Sequence, residues 1–256
     1  MIWFHETLKS TQDEMKSMAE AGTLSHLDAI YAGVQTGGRG RHGRDWIAPN
    51  GNLSASIFLR DFKMPVTWVP LWVGLSLLRV LRLRFPELTK LPGKEVMLKW
   101  PNDLVLSSGE KLGGILCEKV ESGVIAGIGL NLTTAPSIDG RACRSLGELF
   151  QEAKILGFEI TGDSPSSNSI LEMILDDLRR ESSLEDLRAH FLSASIYPVG
   201  HAIQWQDSQS GGLRKGRVLG LGLHGELQVE LPDGKTQGLF SEEIAGIRNE
   251  SDSDKK

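Results

Sequence analysis

The chain has 256 residues, 40% of them hydrophobic and 24% charged, with a formal net charge of −5. That length suits one sizeable core plus a small second module. The acidic balance excludes a general nucleic-acid binder while leaving room for a local basic site. Cys117 and Cys143 belong to no CxxC pair, which excludes a disulfide scaffold and points to free thiols in a reducing, cytoplasmic setting. Cys117 sits in the apolar run GGILCEKV and is expected in strand core. The N-terminal stretch MIWFHETLKS lacks a basic region followed by a long apolar one, so no signal peptide is expected.

Thr11-Gln12-Asp13-Glu14 fits a capping box, and Met15, Met18 and Ala19 follow at helical spacing with Gly22 as the stop. Asp28–Gln35 and Asn52–Leu59 read as strands, the second after the turn Pro49-Asn50-Gly51-Asn52. The longest apolar run, Val66–Leu78, contains Pro70 and Gly74 and is too short for a bilayer. It belongs to a buried helix over Thr67–Phe85, ended by Pro86. Strands follow at Val96–Trp100, Leu104–Leu106, Leu112–Val120 and Val124–Leu132, and their short turns predict hairpins in a mixed or antiparallel sheet. Helices are expected over Leu146–Ile155, from about Asn168 through LEMILDDLRRE, and over SLEDLRAHFLSAS, with Ser164–Asn168 as a polar linker. After Tyr197-Pro198 the pattern turns to strand period: Ile203–Gln206, Arg214–Leu221, Glu226–Leu231 and Thr236–Phe240. This predicts an all-β module of about five strands, the size of a small barrel. Residues 249–256 form a charged tail expected to be disordered.

The loop Gly37–Arg44, GGRGRHGR, contains a GxGxxG match. A dinucleotide loop needs a helix directly after its glycines, and Asp45-Trp46-Ile47-Ala48-Pro49-Asn50-Gly51 will not start one. An RNA-binding RGG segment would be longer, repetitive and in a tail. The loop reads instead as an anion cradle. Arginine forks bond phosphate oxygens, glycines admit the ligand, and like charges keep the empty loop mobile. Downstream, Lys99-Trp100-Pro101-Asn102-Asp103 puts a cation at a strand end beside polar side chains. In isolation that lysine is an ordinary solvated one. Lys111-Leu112-Gly113-Gly114-Ile115-Leu116 and Gly127-Ile128-Gly129-Leu130-Asn131-Leu132 interrupt strands with glycines, a mark of close approach by a ligand or another backbone.

The ordered set GRGRHGRDW, KWPNDL, KLGGIL and GIGLNL, with the Ser10-Thr11 start and the terminal β module, closely resembles the biotin–protein ligases. The resemblance implies an α+β fold. A mixed-sheet catalytic domain flanked by helices covers residues 1–196, and an SH3-like barrel covers 197–248. It implies a two-step reaction: biotin's carboxylate attacks the α-phosphate of ATP to form biotinyl-5′-AMP, and a lysine of a biotin carboxyl carrier protein then takes the acyl group. By motif position, Ser10, Thr11, Gln12 and Gln35 match the biotin-ring segment. The family commonly has Asn at the position of Gln12, which leaves that contact open. Arg39, Gly40 and Arg41 match the biotin and adenylate loop, with Arg41 assigned to the carboxylate and phosphate. Arg44 joins the adenylate set, and Trp46 matches the aromatic that packs on adenine. Lys99 is the choice for the central catalytic cation. Asn131 is the neighbour of metal and phosphate. Lys111 and Asp103 stand behind these, a strand-start cation and a turn cap in their plainer reading. Mg²⁺ is expected to be held mainly by phosphates. The chain starts about ten residues before Ser10-Thr11 by this alignment, so no DNA-binding domain is expected, and the shortness of the longest apolar run leaves no membrane contact expected. A monomer or homodimer is compatible. A lipoate–protein ligase and a non-catalytic biotin-adenylate binding protein remain the alternatives.

Overall fold

The computed structural model describes residues 1–138, 140–158, 166–180, 182–207 and 211–247. The expected tail and the first part of the Ser164–Asn168 linker lie outside them. A seven-stranded sheet organises the larger part. It comprises β1 (Ile2–Leu8), β2 (Ala29–Gln35), β3 (Leu53–Leu59), β4 (Val96–Lys99), β5 (Asp103–Leu106), β6 (Lys111–Val120) and β7 (Gly123–Leu130), in the order β1-β2-β3-β7-β6-β5-β4. Only β1 and β2 run parallel, joined through helix α1 (Thr11–Glu20); every other pair is antiparallel. The sheet is therefore mixed, as expected. β1 was not foreseen, because IWFHETL alternates too poorly to signal a half-buried strand.

Strand β3 is buried along its whole length. Leu53, Ala55, Ile57 and Leu59 face the main core under helix α2 (Val69–Arg84), whereas Phe58 joins Met15, Ala19, Leu24, Ile30 and Ile125 beneath α1. Period-two alternation then assigns Ser54 and Ser56 to the α1 face. Helix α2 follows a short 3-10 turn and is packed between the sheet and helices α4 (Ser167–Leu178) and α5 (Leu184–Ala194). The segment Val66–Arg84 is long and apolar enough to cross a membrane by length and composition, and two thirds of it is buried inside the protein, 67%. Helix α3 (Leu146–Ile155) starts with a full capping box of Ser145 and Glu148.

Helix α1 departs from the expected cap. Ser10, not Thr11, is the N-cap and accepts from the Asp13 N–H at 3.4 Å. Thr11 is the first helical residue, which frees its hydroxyl for another partner. Gly22 takes left-handed backbone, φ 69°, just past the helix end.

The terminal module is a second sheet of β8 (Ala202–Gln206), β9 (Leu213–Leu221), β10 (Leu227–Glu230), β11 (Thr236–Leu239) and β12 (Ile244–Gly246), ordered β11-β10-β9-β8-β12. Five strands were expected. The ladder is open between β11 and β12, so among the described residues the sheet does not close by hydrogen bonding. It is tied to the larger part by two indoles: Trp68 Nε1 donates to Leu223 O at 2.9 Å and Trp100 Nε1 to Gly225 O at 3.0 Å.

Candidate active site

A cavity opens on the α1 face of the sheet, with about 780 Å³ of empty space including its open mouth. Cross-strand register explains its floor. Ser54 pairs with Gly129 and Ser56 with Gly127, while Gly114 pairs with Gly129 and Leu116 with Gly127. The glycines keep this face low. A Cβ on Gly127 would stand 2.8 Å from Gln12 Oε1, and one on Gly129 would stand 2.2 Å from the Trp46 ring.

One end of the cavity is a neutral polar network. Gln35 Oε1 accepts from Thr11 N at 2.7 Å and Thr11 Oγ1 at 3.0 Å. Ser56 Oγ donates to Gln12 Oε1 at 2.8 Å, and Gln12 Nε2 reaches the Leu116 and Ile125 carbonyls at 3.2 Å. Gln12 thus spends its amide on the strands and holds α1 against the sheet. Ser56 completes the network and was missed in the sequence. Its signal was a serine inside the apolar strand LSASIFL.

The other end is cationic. Lys111 begins β6 and pairs with Asp103 at 2.5 Å. Its ammonium lies 5.9 Å from the Trp46 ring centroid. Trp46 Nε1 is a buried donor with no hydrogen-bond partner among the described residues. Arg39, Gly40, Arg41, Arg44 and Trp46 line the cavity with Ser10, Thr11, Gln12 and Gln35, so most of the residues singled out in the sequence converge here. Lys99 and Asn131 do not. Lys99 lies on edge strand β4, opposite Asp103 and one strand farther from the floor. Asn131 is buried with its Nδ2 on Arg144 O at 3.0 Å and its Oδ1 unpartnered among the described residues. The cation that faces the loop across the cavity is Lys111.

The loop arginines are not left to repel one another. Arg39 pairs with Asp13 at 2.6 Å and Glu118 at 3.2 Å. Arg41 donates to Asn102 Oδ1 at 3.0 Å and Ser241 O at 2.8 Å, and burial pushes its guanidinium below the ordinary arginine value. Arg44 pairs with Glu243 of the terminal module. That hydrogen bond holds the Glu243 carboxyl below the usual glutamate range. His42 and Gly43 turn the loop with left-handed backbone, φ 56° and 71°. Cys117 packs against the core under α2, where burial raises its thiol above the ordinary range and disfavours the thiolate. Among the described residues no group of three His, Cys, Asp or Glu is placed to hold a metal.

The cavity therefore offers a neutral hydrogen-bonding end, a cationic end and an indole between them. That suits an acid bearing a polar head, activated beside a phosphate. Residues 4–134 match the model of the biotin/lipoate A/B protein ligase family. The biotin–[acetyl-CoA-carboxylase] ligase of Mycobacterium tuberculosis is 30% identical over 247 residues, which is 95% of this chain and 77% of that protein. The Aquifex aeolicus biotin protein ligase, solved with biotin and ATP, has the same fold at TM-score 0.74 and 24% identity, covering 96% of this chain and 99% of that one. The Leishmania major biotin protein ligase with biotinyl-5-AMP matches at TM-score 0.64 and 28% identity, over 94% and 98% of the two chains. With half the chain under one family model and a relative aligned along nearly all of it, this chain belongs to the biotin/lipoate A/B protein ligase family.

Proposed function

We propose that this chain joins biotin to ATP as biotinyl-5′-AMP and passes the acyl group to a lysine of a biotin carboxyl carrier protein. The observation that carries the reading is one cavity in which the Thr11–Gln35–Ser56–Gln12 network and the Lys111–Arg41 cations share a glycine floor. The neutral network matches a cyclic urea, which both donates and accepts. Lys111 sits where a carboxylate oxygen and the α-phosphate meet, and Arg41 leaves Asn102 to bind the same anions. Attack by the carboxylate needs no protein nucleophile and no proton transfer. Catalysis rests on positioning and on fixed positive charge. Trp46 stacks on the adenine through its indole.

Magnesium ion fits this site mainly through the nucleotide's own oxygens, since it seldom takes an all-protein cage. Asn131 lies outside the cavity lining and is not assigned as a ligand of the ion. Residues 1–196 form the catalytic domain and 197–248 an SH3-like module that backs the loop. No DNA-binding role is assigned to the described chain.

Purified carrier is offered biotin or lipoate separately with ATP, and its mass is recorded. Biotin-dependent gain of mass with release of pyrophosphate is expected. Labelling with lipoate alone overturns the choice of acid, and biotin binding without pyrophosphate release overturns the activity.

A further inference from the structure

Four arginines line the cavity: Arg39, Arg41, Arg44 and Arg141. The first three are engaged by Asp13 and Glu118, by Asn102 and Ser241, and by Glu243. Arg141 is exposed at the wall and makes no side-chain hydrogen bond or ion pair among the described residues. Its backbone is nevertheless placed. Lys111 N donates to Ala142 O at 2.9 Å, Arg144 N donates to Lys111 O at 2.9 Å, and Cys143 bridges Lys111 in parallel. Asn131 holds the Arg144 carbonyl, and the Arg144 side chain pairs with Glu152. Arg141 is thus carried on a segment clipped to the residue whose ammonium enters the cavity. Its charge also lies close enough to Glu243 to favour the ionised carboxylate there.

We propose that Arg141 binds the β- and γ-phosphates of the nucleotide and stabilises the departing pyrophosphate. This rests on the adenylating function argued above. In that step a carboxylate oxygen bonds to the α-phosphorus. The bond from that phosphorus to the bridging oxygen breaks, and pyrophosphate leaves with the electron pair. Negative charge therefore grows on the distal phosphates, away from Lys111. A guanidinium stays charged and its planar fork fits phosphate oxygens. Among the described residues, Arg141 is the cavity arginine that breaks no side-chain hydrogen bond or ion pair to take that role.

The test uses the full chain with R141A and R141K. Pyrophosphate release is followed against ATP concentration with biotin present. Carrier labelling is followed separately from added biotinyl-5′-AMP. R141A is expected to lower kcat/KM for ATP by about ten- to a hundredfold, with R141K between it and the parent. Labelling from the added adenylate should keep the parent rate. An unchanged kcat/KM for ATP overturns the proposal. So does equal slowing of both half-reactions, which marks a structural role, or slowing of carrier labelling alone, which marks a carrier contact. A parent chain that releases no pyrophosphate overturns the activity itself and the proposal with it.

Discussion

At the scale of the residue, two lysines compete for the central cation. Lys99 has the more suggestive neighbourhood in the chain, between a strand and Asn102-Asp103. Lys111 has the better place, because it lines the cavity beside Trp46 and Asp103. Loss of one charge-stabilising group costs about 10²–10³ in rate. Lys111→Ala should slow pyrophosphate release by about that much, while Lys99→Ala, outside the cavity lining, stays within about twofold. Parent and variants are compared in a coupled pyrophosphate assay. Equal losses in both, or a loss only in Lys99→Ala, would return the role to Lys99. Gly129 is the second decisive residue. Its missing Cβ admits the Trp46 ring, and an alanine there would meet ring carbons at 2.2 and 2.4 Å. Gly129→Ala should cost about 1–3 kcal/mol as overpacking and weaken ATP binding. Denaturant titration and calorimetry with ATP check both, and an unshifted midpoint would show that the indole has room to move.

Elements decide which faces meet. The floor of the site is a patch of the sheet where β3 supplies Ser56, β6 and β7 supply glycines, and α1 supplies Thr11 and Gln12. None of these strands is built for binding along its whole length. Each alternates between a core face and a site face. The helices are more local devices. The Ser145–Glu148 box closes the start of α3 and satisfies both the Ser145 and Glu148 backbone N–H groups. Ser145 Oγ also lies 3.1 Å from Thr133 O. Ser145→Ala should therefore lower stability by about 1 kcal/mol or somewhat more. In thermal unfolding, about 1 kcal/mol corresponds to a Tm drop of roughly 2–4 °C at this chain length. No change in Tm would mean that the cap contributes nothing net.

At the scale of the whole molecule, the cavity is closed by a contact between distant parts of the chain. Arg44 from the loop meets Glu243 from the terminal module, and Arg41 meets the Ser241 carbonyl. The sign of the pH dependence follows from Glu243. Its folded-state pKa is depressed by the Arg44 hydrogen bond, so the pair contributes above the ordinary glutamate value. That contribution is lost as pH falls through the depressed value. A carbon-detected NMR titration should find the Glu243 carboxyl below its ordinary midpoint, and Arg44→Ala should move it upward. A midpoint unmoved by Arg44→Ala would remove the coupling. The two indole bonds, from Trp68 and Trp100, hold the same interface from behind.

Much of this was legible in the sequence, because burial and turn chemistry are written locally. The buried helix α2, the hairpins of β5, β6 and β7, the five-strand texture of the end and the anion-binding spelling of Gly37–Arg44 all follow from spacing within a few residues. β1 escaped because an edge strand with a half-wet face carries little alternation. The cap slipped by one residue because Ser10 and Thr11 are equally good caps, and only the partner of Thr11, Gln35 on β2, separates them. The chain ranks Lys99 above Lys111, because the Asn102-Asp103 corner beside Lys99 is visible locally, whereas the place of Lys111 at the start of β6 beside the cavity is not. Their difference is two strands of lateral distance, roughly 9–10 Å, set by the order β6-β5-β4 and by the register shift at Leu104/Val105. The pairing of each loop arginine was hidden for the same reason. Asp13, Asn102, Glu118 and Glu243 are remote in sequence, and long-range contacts depend on sheet order rather than on neighbouring residues. Local chemistry thus named the kind of site, and the tertiary fold chose which of its charges face the ligand.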